Sequence, residues 1–388
     1  MNSSLSLDEK NNKLVFVDPG CLYKWNGRLY LAERSILGYK AYFDYISHKS
    51  SNTDVQMVSY QGIIPAEEHV VKNLMEIPDE ILGKISEKNL KEFYAENQGA
   101  LFYALCNRGI SSVLGFNDKV FYLIENPRSV KTDLVLTDFQ GSLISKMKII
   151  IGSYKEDLAL KANLRRVAGF QANGDAAYES YRKFNSNSMV FYDHRVSEVP
   201  EKYQDENKNL DSSLRVAFSG RIIKIKGSEY LAEVSQLLYE SNPAIRIYLL
   251  GDGEDREKIL RGAAPNLEYK GFMSYKEEWE PFVRQNVDLM LLPHVQGDPS
   301  MTYFEALGAG VPIIGFKNQT LNHLVDKGLG WAYPQGDSEA IVKKILELGQ
   351  HPKELSEKSQ NALEFMRENL YPTVVKRRMD HLLASLKQ

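Results

Sequence analysis

The chain has 388 residues, of which 43% are hydrophobic and 26% charged, an ordinary globular composition long enough for two domains. Its 48 Lys+Arg against 51 Asp+Glu leave a formal charge of -3, with neither half polarised and none of the basic excess of a nucleic-acid binder. The two cysteines, Cys21 and Cys106, cannot build a disulfide framework; no apolar run approaches the roughly 20 residues of a membrane span, and the opening MNSSLSLDEKNNK lacks the apolar core of a secretory leader, so the expectation is a cytoplasmic protein.

In the first half, Lys13–Val17 is a short apolar run ending at Asp18-Pro19-Gly20, the pattern of a buried strand and its loop. Residues 28–46 carry a helical pattern, VQMVSY (55–60) reads as a strand, 87–107 as a helix and KVFYLI (119–124) as a strand. Residues 142–170 are long and partly apolar, dotted with Lys146, Lys148, Lys155, Lys161, Arg165 and Arg166. Two readings of the 143–166 stretch are open: peripheral contact with an anionic membrane face, or a buried element with solvated lysines. A strand, turn and helix over 170–184 and a strand at 188–193 complete this half.

The polar stretch EVPEKYQDENKNLDSS (198–213) lacks apolar periodicity and reads as a linker. It divides the chain into a first domain (1–197), a second domain (214–352) and C-terminal helices (353–388). The second half alternates strictly: strands at 214–220, 245–253, 267–272, 287–294 and 311–316, with helices at 227–241, 255–263, 274–285, 300–310 and 338–349. Continuous apolar strands alternating with helices imply an α/β fold with parallel sheets covered on both faces, whose ligands bind outside the carboxyl ends of the strands.

The loops at those ends carry the chemistry. Ser219-Gly220-Arg221-Ile222-Ile223-Lys224-Ile225-Lys226-Gly227 can turn tightly at Gly220 and converge Arg221 and Lys226 on an anion, although such a pair also occurs as solvated surface charge. Gly251-Asp252-Gly253 closes the next strand and is by itself a common turn; the GxGxxG of a dinucleotide site is absent. The segment from His294 to Ile314 contains Gly297-Asp298-Pro299-Ser300 at a helix start, where the amides of Ser300, Met301 and Thr302 suit a diphosphate, and Glu305 could accept hydrogen bonds from a ribose diol.

On these residues, 214–337 resembles the nucleotide-sugar-binding domain of retaining GT-B glycosyltransferases of the family 4 type. That resemblance implies two Rossmann-like domains with parallel sheets facing across a cleft, and transfer of a sugar from a UDP- or GDP-linked donor to a saccharide or lipid-linked acceptor hydroxyl in surface polysaccharide or glycoconjugate synthesis. It gives Arg221 and Lys226 the donor diphosphate and Glu305 the ribose, and implies no cofactor and no metal. Consistent with the latter, the chain has no histidine pair at metal spacing and no Asp-x-Asp. One departure stands out: the family's first Glu, with seven residues between it and the second, falls at Gly297, and Asp298 is the candidate to replace it.

In the first domain the resemblance implies that Gly20 or Gly27 lets backbone amides approach the reacting centre, both also being plain turn glycines. It places Glu125, followed by Asn126 and Arg128, where many family members carry a histidine. Two other classes remain open: a nucleotide-sugar epimerase or phosphorylase of the same fold, and a non-catalytic nucleotide-sugar-binding subunit.

Overall fold

A computed structural model describes residues 12–137, 139–201 and 214–386. Residues 202–213 of the expected linker lie outside the described residues. The first sheet is parallel throughout and contains β1 (Asn12–Asp18), β2 (Thr53–Ser59), β3 (Ile85–Asn89), β4 (Leu101–Leu105), β5 (Val120–Ile124), β6 (Gly169–Asn173) and β7 (Ser188–Phe191), in the order β7-β6-β5-β4-β1-β2-β3. The second sheet, also parallel, contains β8 (Arg215–Ser219), β9 (Arg246–Leu250), β10 (Leu267–Gly271), β11 (Leu289–Leu291), β12 (Ile313–Phe316) and β13 (Gly330–Tyr333), in the order β10-β9-β8-β11-β12-β13. Strand order reverses beside β1 in one sheet and beside β8 in the other, and ligand crevices open at such switch points.

Side-chain alternation explains why these strands read as unbroken apolar runs. In β1, Leu14 and Phe16 enter one core, while Val15 and Val17 enter the core on the opposite face. In β11, Leu289 and Leu291 face one core and Met290 the other. Both faces are dry, so no polar residue interrupts the pattern.

Two expectations for the first half are corrected. The 87–107 helix is instead the end of β3, a short helix Leu90–Glu96 and β4. Leu101, Phe102, Tyr103 and Ala104 are all buried at the centre of the sheet, where pairing with β1 and β5 overrides helical spacing. Of 28–46, residues Arg28–Leu31 form a strand, and α1 begins later (Glu33–Lys49). That strand belongs to a small sheet with Leu22–Trp25, Ile63–Pro65 and Met75–Glu76, which the sequence reading did not anticipate.

Several helices position the site. After β5 come α2 (Arg128–Thr137) and α3 (Leu143–Asn163), and after β6 comes α4 (Asp175–Tyr181). In the second half these are α5 (Leu231–Ser241), α6 (Met301–Gly308) and α7 (Gln319–Asp326). Finally α8 (Pro352–Glu368) packs Ala362 and Met366 into the second half's core, and α9 (Tyr371–Leu386) packs Val375, Met379, Leu382 and Leu383 into the first. The chain thus crosses between the halves twice, and the crossings touch where the Tyr371 amide donates to the Val196 carbonyl at 2.7 Å.

Candidate functional site

The two sheets present their carboxyl ends to a shared cleft. A cavity of about 550 Å³ on the second-domain side is lined by the loop after β8 (Ser219, Gly220, Arg221, Lys226), by Gly251 and Asp252 after β9, by Phe272, Met273, Tyr275 and Trp279 after β10, and by Asp298–Thr302 and Glu305. A second, of about 540 Å³, lies in the first domain against Asp18, Gly20, Tyr23, Tyr39, Tyr42 and Tyr103. Arg34, Glu125, Asn173 and Asp193 line both, so the two volumes meet at these side chains.

Lys226 ends a short 3-10 turn (Lys224–Lys226), and Gly227 follows in the left-handed conformation at φ 67. A Cβ on Gly227 would sit 1.8 Å from the Pro293 carbonyl oxygen, so only glycine lets this turn lie against the end of β11. The turn buries Lys226 to 7% exposure. Desolvation lowers its pKa to about 8, Asp298 opposes the shift and Arg221 adds to it. Arg221 itself is exposed at the mouth.

The helix start is built as expected, with one correction. Ser300 occupies the N-cap position of α6, but its side chain makes no capping bond, and its amide already donates to the Asp298 carbonyl at 2.7 Å. The amides of Met301 and Thr302 have no acceptor among the described residues and remain for a ligand. Asp298 is fixed from both sides: its amide donates to Gln296, and its Oδ1 accepts from Asn126 Nδ2 of the first domain at 3.3 Å. Glu305 lies one turn into α6 facing the cavity; burial raises its pKa to about 7 against the opposing pull of Arg34 and Arg195. It is close enough to Tyr275 to help push that phenol's pKa up. Tyr275 stacks on Trp279 with ring centroids 5.5 Å apart, and Trp279 Nε1 donates to Ser219 Oγ at 2.8 Å. The cavity therefore has a flat aromatic end, a carboxylate beside it, and a cationic end with free amides. Those features suit, in turn, a planar base, a diol and a diphosphate.

Gly297 has a steric reason. A Cβ there would lie 2.2 Å from Gln319 Oε1, 2.7 Å from Gln319 Cβ and 2.8 Å from its backbone nitrogen, so no glutamate fits at this position as the loop stands. Glu125 projects from the end of β5 into both cavities, and burial, then Asp298 and Asp193, raise its pKa. Asn126 is buried behind it. The remaining glycines are placed less centrally. Gly20 lines only the first-domain cavity, and its amide is taken by Asp18 Oδ1 at 2.9 Å. Gly27 sits in the hairpin turn between Trp25 and Arg28 and lines neither cavity. Gly253 packs beneath the β8 loop against the Ile222 carbonyl rather than on the cavity wall. His294 is buried, and both ring nitrogens lack partners among the described residues.

Sequence reasoning missed Arg34, Asn173 and Asp193. Arg34 is ion-paired with Asp193, which also holds Arg195 at 3.2 Å, and the Asp193 amide donates to Asn173 Oδ1 at 3.1 Å. Asn173 ends β6 and Asp193 follows β7, but Arg34 comes from α1, more than 100 residues earlier, and no local spacing signals their meeting. Asp193 at the end of an apolar strand was the one available cue. The cleft is closed by cross-domain contacts: Gln319 Nε2 donates to Asp133 Oδ2 at 3.0 Å, Lys327 pairs with Asp175 at 2.9 Å, and Gly174 lies against Pro299.

With this geometry in place, residues 213–351 match the family described as Glycosyl transferases group 1. Over 147 residues the chain is 29% identical to the alpha-monoglucosyldiacylglycerol synthase of Acholeplasma laidlawii, a match that covers 37% of this chain and only 36% of that protein. Two solved structures extend the likeness over the whole fold. HepE of Anabaena in complex with UDP has a TM-score of 0.58 at 14% identity, covering 96% of this chain and 100% of that one. WaaG, a glycosyltransferase involved in lipopolysaccharide biosynthesis, has a TM-score of 0.58 at 11% identity, covering 95% and 98%. The chain therefore has the GT-B fold, and its second domain is similar to group 1 glycosyl transferases.

Proposed function

We propose that this protein transfers a glycosyl unit from a nucleotide-diphosphate sugar, UDP- or GDP-linked, to a hydroxyl of a saccharide or lipid-linked acceptor, with retention at the anomeric carbon. The observation that carries the reading is the second-domain cavity, where a desolvated Lys226, Arg221 and the free amides of Met301 and Thr302 converge, with Glu305 beside an aromatic end. The family match over 213–351 supports it. In this reading the acceptor occupies the tyrosine-lined first-domain cavity, and its hydroxyl meets the donor at Glu125 and Arg34.

In the reaction the acceptor oxygen forms a bond to the anomeric carbon, and the bond from that carbon to the diphosphate oxygen breaks. The acceptor's proton leaves to the departing diphosphate. Negative charge grows on the leaving group, and a buried ammonium with preorganised amides stabilises that charge more strongly than water does. Arg221, Lys226 and the α6 amides supply this without a metal or a cofactor. Glu125 accepts a hydrogen bond from a neighbouring, non-reacting hydroxyl of the acceptor and so orients it, and Asp298, braced by Asn126, takes the donor-sugar hydroxyls in place of the glutamate that position 297 cannot hold. The closed cleft excludes water and limits donor hydrolysis. In this reading the enzyme works in the cytoplasm, and an acceptor of the lipid-linked kind would bring it to a membrane face. The direct test is a thermal-shift screen of nucleotide diphosphates and nucleotide sugars, followed by release of nucleotide from the hit on adding acceptors. A protein that no nucleotide stabilises refutes the reading.

A further inference from the structure

The α3 helix presents an apolar stripe to solvent. Leu143, Ile144, Met147, Ile151, Tyr154 and Leu158 are exposed, from 50% at Ile151 to 80% at Leu143. From Leu143 the spacings to Met147, Ile151, Tyr154 and Leu158 are four, four, three and four, so these side chains form one continuous line along the helix. The opposite side, with Ile149, Ser153, Asp157 and Leu160, faces the groove against α2. Tyr154 also carries the Arg128 guanidinium of α2 on its ring at 3.7 Å, but the aliphatic part of the stripe faces solvent, and an exposed apolar line of this size marks a contact surface.

Charge identifies what covers it. Lys146, Lys148 and Lys155 are exposed along the borders of the stripe and have no carboxylate partner among the described residues. Asp157, on the buried side, is paired with Lys161 at 2.7 Å, Glu156 is exposed at the groove against α2, and no acidic residue lies on the stripe itself. A second copy packed face to face by two-fold symmetry would bring lysine against lysine. An anionic lipid surface satisfies both features, taking apolar side chains below the headgroups and lysines at the phosphates. The helix has 21 residues, about 30 Å of length to lie along that surface.

We infer that α3 is a peripheral membrane-docking helix that seats its Leu143–Leu158 stripe in an anionic bilayer surface. Its purpose rests on the lipid-linked acceptor of the proposed transfer, but its physics does not depend on the donor site. The test is co-sedimentation of the full chain with vesicles of phosphatidylcholine alone or mixed with phosphatidylglycerol. The intact protein binds the mixed vesicles at low salt, more weakly at high salt, and the neutral vesicles poorly. The L143S/M147S/I151S variant changes only exposed positions, so it keeps its fold and its nucleotide-induced thermal shift, yet its partitioning falls at least about tenfold. The K146Q/K148Q/K155Q variant loses about fivefold per lysine on anionic vesicles only. The inference is overturned if the intact protein stays in the supernatant, if the stripe variant binds as well as the parent, or if the stripe instead supports a dimer that the serine variant dissociates. Vesicle binding without any nucleotide shift would leave the docking helix standing and remove the transferase reading.

Discussion

Replacing Lys226 with Met separates the stability of the protein from its affinity for the donor. The ammonium's pKa is lowered from 10.5 to about 8 with burial as the leading cause, so holding it charged in the folded state costs about 3 kcal/mol at neutral pH. The sign follows from proton counting. Between pH 8 and 10.5 the unfolded chain binds more protons than the folded one, so this cost is fully present below pH 8 and disappears as pH rises to 10.5. A methionine fills similar space without the charge, and K226M is expected to be more stable than the parent by about 1–3 kcal/mol at pH 7 and equal to it near the top of that window. The same change removes a charge-assisted bond to the donor diphosphate, about 1.5–3 kcal/mol, or about 10- to 150-fold in affinity. At 100 times the parent's dissociation constant a nucleotide stabilises the parent by about 2.7 kcal/mol, whereas K226M gains only about 0.3–1.4 kcal/mol. Urea denaturation with and without nucleotide, at pH 7 and pH 10, reads both quantities. A variant that is less stable at pH 7, or that keeps the full nucleotide shift, refutes the argument that Lys226 is a desolvated cation held for an anion.

Nucleotide affinity should peak between about pH 7 and pH 8, because Glu305 accepts ribose hydroxyls only when ionised and Lys226 binds phosphate only when protonated; titration calorimetry across pH should show an acid limb that E305Q removes. Gly297→Ala is expected to cost about 1–3 kcal/mol by forcing Cβ into Gln319, measured by urea midpoint, and G297E should lower turnover rather than raise it; a neutral G297A overturns the steric account of the missing glutamate. Arg34→Ala should lower turnover by about tenfold and, because Arg34 helps hold down the Glu305 pKa, weaken nucleotide affinity at pH 7 with a smaller loss at pH 8; weakened binding of equal size at both pH values with unchanged turnover would place Arg34 in the donor cradle instead.

The second half was legible because its strands are dry on both faces and its loops are short. Val216–Phe218 and Met290–Leu292 leave no ambiguity about strand or end, so Arg221, Lys226 and Glu305 could be placed on one cleft wall. The first half was not, because a small mixed sheet interrupts the alternation and borrows Arg28–Leu31 from what reads as a helix. Leu101–Leu105 is a strand only because β1 and β5 flank it, a long-range fact absent from its own spacing. Gly20 and Gly27 followed from the assumption of a glycine loop after β1. Here the chain turns into a hairpin, and α1 brings Arg34 to the cleft instead.

The double crossing of the chain has a consequence for how the protein is made. Arg378 is buried in the first domain, where its guanidinium donates to Tyr42, Tyr103 and Gln171, partners 336, 275 and 207 residues earlier in sequence. Met379 and Leu382 sit in the same core as Leu14 and Phe16. During synthesis the second domain can complete its core once α8 has emerged, while the first one waits for α9 with its core open. The earliest translated half is therefore the last to close, and through synthesis its exposed tyrosines and strand ends are the surface a nascent-chain chaperone would meet.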